Sequence, residues 1–351
     1  MKMRILLLNP SFWIYGGAEQ LIVNLANYLT DRHHEVTIMT TTIIDSVRSD
    51  LHDARLLLCQ DFEEMYTMFQ QIAPDFEVIN IHNTPCEQLV APRKLPTVWM
   101  CNEPPAPVVL GGQLPTQPTM NIQNFMTRIV VSDELNQARI KKAFKRESQI
   151  VRYGFDQSFF EKADGNLLRE RLELKEDDVV ITQVGFISET KNQLRTLQIF
   201  KEVKEKIPQA KLVLAGHDKL PYVDKVRAFV RQNRLMDSVI MPGEFDRESI
   251  KQLYSISDYV LMPTLTQGSW LSCMEALASG CNVMVGKEMA ASEFLKKEGF
   301  GFVFEDNVGA VDYLIQKKVQ ENDLERLKIY TWDKYSEAML KVFEEVKCNA
   351  S

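Results

Sequence analysis

The chain has 351 residues, 45% of them apolar, with a net charge of −7 and a pI near 5.5. That length is natural for two domains, and an acidic chain with no block of five like charges argues against a nucleic-acid partner. No apolar run approaches the roughly 18 residues of a spanning helix, and the cysteines at 59, 86, 101, 273, 281 and 348 form no CxxC pair and no Cys/His metal spacing, which favours buried thiols in a reducing compartment.

Arg4–Leu8 is apolar after Arg4 and predicts a first strand. Asn9 and Pro10 end the run too early for a signal peptide, and no small-residue cleavage site follows. The loop Asn9–Gly17 leads to a helix over Ala18–Thr30, where Leu21, Leu25, Ala26 and Leu29 recur at helical spacing. Gly16 and Gly17 would let backbone approach a bound group closely, although a Gly-Gly turn is more often structural. The pattern is not GxGxxG and gives no support for a nicotinamide cofactor. Glu35–Met39 predicts a second strand, Asp61–Ile72 a helix, and Val78–Ile81 a strand ending in His82 and Asn83. A histidine after a strand is more often a hydrogen-bonded structural residue than a catalyst. Val98–Cys101 predicts a strand followed by Asn102 and Glu103. Glu103 reads equally as a sugar ligand or as a solvated residue before a proline turn. Pro104–Thr127, with five Pro and two Gly, predicts a long loop, a kind usually functional or mobile. Arg128–Val131 predicts a strand and Asp133–Phe144 a helix. Lys141, Lys142, Lys145 and Arg146 are an ordinary solvated face or a contact with an anionic membrane, the former more in keeping with a surface helix.

A domain junction falls near Val151–Phe160. Beyond it, Val179–Val184 predicts a strand ending in Gly185, followed by Ser188, Glu189, Thr190, Lys191 and a helix over Asn192–Ile207. Lys211–Leu214 and Val239–Met241 predict strands ending in Gly216 and in Pro242-Gly243. Arg247–Ser255 predicts a helix and Tyr259–Met262 a buried strand that Pro263 stops. Gly268 and Ser269 supply turn and capping chemistry for a helix over Trp270–Ser279, which Gly280 ends. Asn282–Val285 is the next strand. This strand–loop–helix unit places a helix amino end, with free N–H groups, where a phosphate would sit. Glu275 is a carboxylate on an otherwise apolar helix. It would accept two ribose hydroxyls, or pair with a basic neighbour. Ala290–Lys297, Asn307–Lys318 and an amphipathic Thr331–Val346 predict the last helices.

The stretch Pro263–Gly280 resembles the signature of the retaining glycosyltransferases of family 4. Pro263, Thr264, Gly268, Glu275, Ala276, Ala278 and Gly280 match it; Gln267 stands at the family's first Glu, and Ser269 and Trp270 replace its Phe-Gly. GFISETKN resembles the family's phosphate-binding segment, with Lys191 and Asn192 matching and Phe186 in the Arg position. VRYGFDQSFF resembles its interdomain signature through Gly154, Asp156 and Phe160, with Tyr153 replacing Asn. GGAEQ resembles its amino-terminal segment, and Asn102 takes the place of a sugar-contacting His.

The resemblance covers nearly the whole chain. It implies the glycosyltransferase B (GT-B) architecture, an α/β fold of two doubly wound Rossmann-like domains facing a cleft: an acceptor domain over residues 1–155, a nucleotide-sugar domain over 156–330, and a terminal helix over 331–351 returning to the first. It implies transfer of a sugar from a nucleoside-diphosphate sugar to a hydroxyl acceptor, glycan or lipid-linked, with retention and without a metal or other cofactor. Lys191, Gln267 and Glu275 would carry the chemistry. Gly16, Gly17, Gly185, Asn192, Gly216, Gly243, Glu244, Phe245, Thr266, Gly268, Ser269, Trp270 and Leu271 would join them around the donor. His82, Asn83, Asn102 and Glu103 would line the sugar or acceptor side. The expected location is cytoplasmic, with peripheral contact at the inner membrane face as an alternative to an ordinary surface. Asn102, Phe186 and Gln267 keep open a second class, a non-catalytic transferase-like protein that binds a partner enzyme or a glycan. A nucleotide-sugar epimerase of the same architecture is disfavoured by the surroundings of Glu275 and by Gly16-Gly17.

Overall fold

The computed structural model describes residues 2–109, 111–265 and 270–350, without the side chains of 349 and 350. The chain divides into two units, Met1–Gly154 with Tyr330–Ser351, and Phe155–Ile329.

In the first unit β1 (Arg4–Leu8) is followed by α1 (Gly17–Asp31), β2 (Glu35–Thr40), α2 (Asp45–Asp50) and β3 (Arg55–Leu58). Then come α3 (Phe62–Ile72), β4 (Val78–His82) and β5 (Thr97–Met100). Among the described residues seven strands pair in the order β3-β2-β1-β4-β5-β6-β7, all in parallel, with β6 at Arg128–Val131 and β7 at Gln149–Ile150. Central strands of such a sheet are covered on both faces and are therefore continuously apolar. Ile5–Leu8 accordingly have no exposure. Helices start on side-chain caps: Asp61 accepts from the Glu64 N–H ahead of α3, and Asp133 from the Asn136 N–H ahead of α6 (Glu134–Phe144).

The segment expected as a long loop after Pro104 is not one. It holds α4 (Ala106–Val109) and α5 (Thr116–Phe125), and α5 buries Asn121 and Ile122. Pro107 and Pro118 fall in first turns, where the amide they lack has no helical partner, so neither prevents the helix.

In the second unit α7 (Asn166–Arg171), β8 (Val179–Val184), α8 (Gln193–Lys206), β9 (Ala210–Ala215), α9 (Tyr222–Gln232) and β10 (Val239–Gly243) form one half. The other half is α10 (Arg247–Ser255), β11 (Tyr259–Met262), α11 (Trp270–Ala278), β12 (Asn282–Gly286), α12 (Ser292–Glu298), β13 (Phe302–Phe304) and α13 (Asn307–Ile315). Among the described residues six parallel strands pair in the order β10-β9-β8-β11-β12-β13. Both sheets thus reverse direction beside their first strand, between β1 and β4 and between β8 and β11. At such a point the two flanking loops separate, and ligands of open α/β sheets bind at the carboxyl ends there.

The last helix, α14 (Trp332–Ala350), packs on α1 and reaches β4 and β5 of the first unit, burying Tyr335, Met339, Val342, Phe343 and Val346. Gly154 makes room for the chain entering it: a Cβ there would lie 2.3 Å from the Thr331 carbonyl carbon.

Candidate functional site

In the second unit three strands end in glycine side by side. Gly185 donates its N–H to the Ala215 carbonyl and Gly216 donates to the Gly243 carbonyl. A Cβ on Gly216 would lie 2.0 Å from the Gly185 carbonyl oxygen, so only glycine allows the two turns to touch. The loop from Gly185 to Asn192 is held from beneath by two buried glutamines. Gln183 donates to the Lys191 carbonyl at 2.7 Å and accepts from Thr196. Gln193 donates to the Phe186 carbonyl at 2.8 Å and accepts from the Ser188 N–H. Asn192 turns the chain into α8 in the left-handed conformation, φ 57°. The Lys191 stem folds over Gly185, its Cε 3.3 Å from where a Cβ would stand. Across the switch point, Asn192 donates to the Pro263 carbonyl and the Leu265 N–H donates to the Thr190 carbonyl. The loop after β8 and the loop after β11 are therefore tied together.

Phe186, which stands where a cation was expected, is itself covered by one. The Lys219 ammonium lies 4.0 Å from its ring centroid, and His217 meets the same ring edge-on. A short parallel bridge between Ile187 and Asp218 holds the two loops in register. Sequence reading missed Lys219 because its partner lies on another strand.

Glu275 sits on α11 at 8% exposure, and its Oε1 accepts from Arg247 Nη2 at 3.3 Å. The same guanidinium donates through Nε to Asp156 at 2.7 Å and lies over the Phe159 ring. Burial pushes the Glu275 carboxyl up to about 7 against the pull of Arg247, with Asp156 adding to the rise. For Asp156 burial acts upward, but its bonds to Ser158 and Arg247 outweigh it and the carboxyl is lowered. Arg247 was legible only as a helix start, although the basic neighbour it supplies was one of the two readings of Glu275. Glu244 and Phe245 line a pocket of about 750 Å³ with Arg171, Pro242 and Asp246. Arg171 lies over the Phe245 ring and Glu244 reaches His217 at 3.6 Å. Trp270 and Leu271 are buried; Trp270 packs 4.5 Å from Phe294, so its ring belongs to the core. Thr266, Gln267, Gly268 and Ser269 lie outside the described residues.

In the first unit Gly16 donates its N–H to Glu19 Oε2 at 3.1 Å, and Gly17 opens α1. That amide is already used by the helix cap. His82 is fully buried. Asn80 donates to the Val98 carbonyl, so its oxygen must accept from His82 Nε2, at 2.7 Å. The imidazole Nδ1 is left without a partner among the described residues. Burial depresses the His82 pKa to about 3, so the ring is neutral and supplies no acid near pH 7. Asn83 and Asn102 are half-buried and hydrogen-bonded to each other. Glu103 is half-buried within electrostatic reach of Arg139. Among the described residues no three His, Cys, Asp or Glu side chains are placed to hold a metal ion, the cysteines are free, and no helix is long and apolar enough to cross a membrane.

Solved structures share this fold along nearly their full length. An Anabaena protein, HepE, solved in complex with UDP and glucose, aligns with a TM-score of 0.82 at 16% identity over 98% of this chain and 100% of that one. A glycosyltransferase from Rickettsia africae aligns at 0.78, with 13% identity and 98% of both chains covered. The fold is GT-B. Residues 165–331, most of the second GT-B unit, match the family model of glycosyl transferases group 1. Among curated proteins, a lipopolysaccharide 1,2-N-acetylglucosaminetransferase of Salmonella typhimurium is 26% identical over 212 residues, 56% of this chain and 55% of that protein. An alpha-monoglucosyldiacylglycerol synthase of Streptococcus pneumoniae is 24% identical over 190 residues, 52% and 42% of the two chains. The chain thus spans about half the length of the curated relatives it matches.

Proposed function

We propose that this GT-B protein is a glycosyltransferase that moves a sugar from a nucleoside-diphosphate sugar to a hydroxyl acceptor with retention. One observation carries the reading. A loop braced by two buried glutamines brings Lys191 over Gly185 at the β8–β11 switch point, within the unit whose helix α11 presents the buried Glu275.

Each part has a task. The ammonium of Lys191 and the amino end of α11 meet the diphosphate and stabilise it as it leaves, an electrostatic contribution that is usually the largest in such chemistry. Glu275, in the ionised form that its raised pKa of about 7 leaves on the alkaline side, accepts from both ribose hydroxyls, with Arg247 holding one of its oxygens. The pocket beside Glu244 and Phe245 takes the base. Gln267 hydrogen-bonds the sugar as a neutral donor and acceptor. The names of the curated relatives suggest a lipopolysaccharide-type or lipid-linked acceptor.

The test is to incubate the protein with UDP-, GDP- and ADP-glucose and UDP-N-acetylglucosamine, with candidate glycolipid acceptors. Released nucleoside diphosphate is measured, and the anomeric configuration of the product is read by NMR. Release from one donor with an unchanged anomer is expected. Binding of a donor without turnover under any condition would favour the non-catalytic alternative, and an inverted anomer would overturn retention.

A further inference from the structure

The strand ends of the first unit carry a hydrogen-bond series that the donor site does not use. Asn9, after β1, donates through Nδ2 to the Ser11 carbonyl at 2.8 Å. Asn83, after β4, donates to Asn9 Oδ1 at 2.8 Å. Asn102, beyond β5, donates to Asn83 Oδ1 at 3.1 Å, and the Tyr153 hydroxyl donates to Asn102 Oδ1 at 3.0 Å. The direction is forced. A backbone carbonyl only accepts, so Ser11 fixes the Asn9 amide, and each later amide must point the same way. At the far end an oxygen faces Tyr153, whose hydroxyl can meet it.

Asn9 and Tyr153 are buried, at 0% and 6% exposure, whereas Asn83 and Asn102 are half-buried. Asn83 takes φ 54°, a left-handed conformation that Asn tolerates better than most residues and that is still uncommon. The series spans the β1–β4 switch point. Asn83 and Asn102 each spend one N–H and one oxygen lone pair within it, and each keeps one of both. A donor beside an acceptor is the complement of a sugar hydroxyl, which also donates and accepts.

We infer that Tyr153 is a positioning residue that acts through Asn102, locking the Asn83 and Asn102 amides in the orientation that receives an uncharged saccharide. This rests on the glycosyltransferase reading and names residues for its sugar-facing side. Without the hydroxyl, Asn102 is held from the Asn83 side alone and its amide is free to rock. Tyr153 and Asn102 are two of the places where the sequence leaves its family's pattern, and the structure joins them by a hydrogen bond.

The experiment is a double-mutant cycle on Tyr153→Phe and Asn102→Ala, with Asn83→Gly as a third variant that permits the positive φ and removes the middle of the series. Hydrolysis of UDP-, GDP- and ADP-glucose and of UDP-N-acetylglucosamine is followed by release of the nucleoside diphosphate. Each single variant should lower kcat/KM about three- to tenfold, the range of one neutral hydrogen bond. The double variant should be no worse than Asn102→Ala, and affinity for the free nucleoside diphosphate should stay unchanged in all. Losses that multiply in the double variant, full activity in Tyr153→Phe, or full activity in Asn83→Gly would each overturn the inference while leaving the transferase reading intact. Wild-type protein that turns over none of these donors, with or without the candidate glycolipid acceptors, overturns the reading, and this inference with it.

Discussion

At the scale of single residues, Glu275 is the group whose charge matters most. The folded protein keeps its proton up to about pH 7, whereas an unfolded carboxyl releases it near 4.5. The native state therefore binds more protons than the unfolded state between those values, and stability falls as pH rises through that window, by up to about 3 kcal/mol. Glu275→Gln removes the titration. It should flatten the dependence of urea-unfolding stability between pH 5 and 7.5 and raise stability at the alkaline end. Parallel curves for the two proteins would show that the carboxyl is not desolvated. The same residue has a ligand-side test. Replacing ribose by deoxyribose in the nucleotide should weaken binding to wild type and make little difference to Glu275→Ala. Equal discrimination by both proteins would remove Glu275 from the ribose site. The carboxylate was legible because it interrupts an apolar helix. Arg247 was not identified as its partner, because the pair is 28 positions apart in sequence and no local pattern carries it.

At the scale of elements, the turn at Gly216 decides whether the loops after β8 and β9 can touch. Gly216→Ala drives a Cβ into the Gly185 carbonyl and meets a φ of +155° that side chains rarely adopt. It should lower nucleotide affinity while the cores on either side stay folded, read by calorimetry alongside thermal unfolding. Unchanged affinity would mean that the two turns do not shape the site. The strands beside these turns were readable because a parallel sheet covered on both faces demands continuous apolar runs, as in Tyr259–Met262 and residues 179–181. Short edge strands gave less signal: Arg55–Leu58 is half-exposed along its length, and Gln149–Ile150 is two residues long. The helix α9 was overlooked although Tyr222, Val223, Val226 and Val230 do mark one face. The two helices after Pro104 were hidden by composition, since proline in a first turn looks the same in sequence as proline in a loop.

At the scale of the whole molecule, the two units differ in how the chain builds them. The second is one continuous segment, Phe155–Ile329, with its own core around Leu197, Phe200, Leu212, Val226 and Leu261. The first needs both ends of the chain. A fragment of residues 155–329 should therefore fold cooperatively by itself, whereas 1–154 without α14 would expose the apolar surface that Tyr335, Met339 and Phe343 cover and should aggregate or melt early. Circular dichroism and sedimentation of the two fragments check this, and a folded, monomeric 1–154 would contradict it. The architecture was legible from strand–helix alternation, but its chemistry rests on side chains drawn from distant positions. Nucleotide binding is the property on which a transferase role depends most directly. The decisive measurement is calorimetric titration of UDP, GDP and ADP into the full chain and into Lys191→Ala. At least one diphosphate should bind, and the variant should lose about 10- to 100-fold in affinity, the effect of one charge-assisted hydrogen bond. Binding of none of the three, or equal affinity in the two proteins, would contradict this.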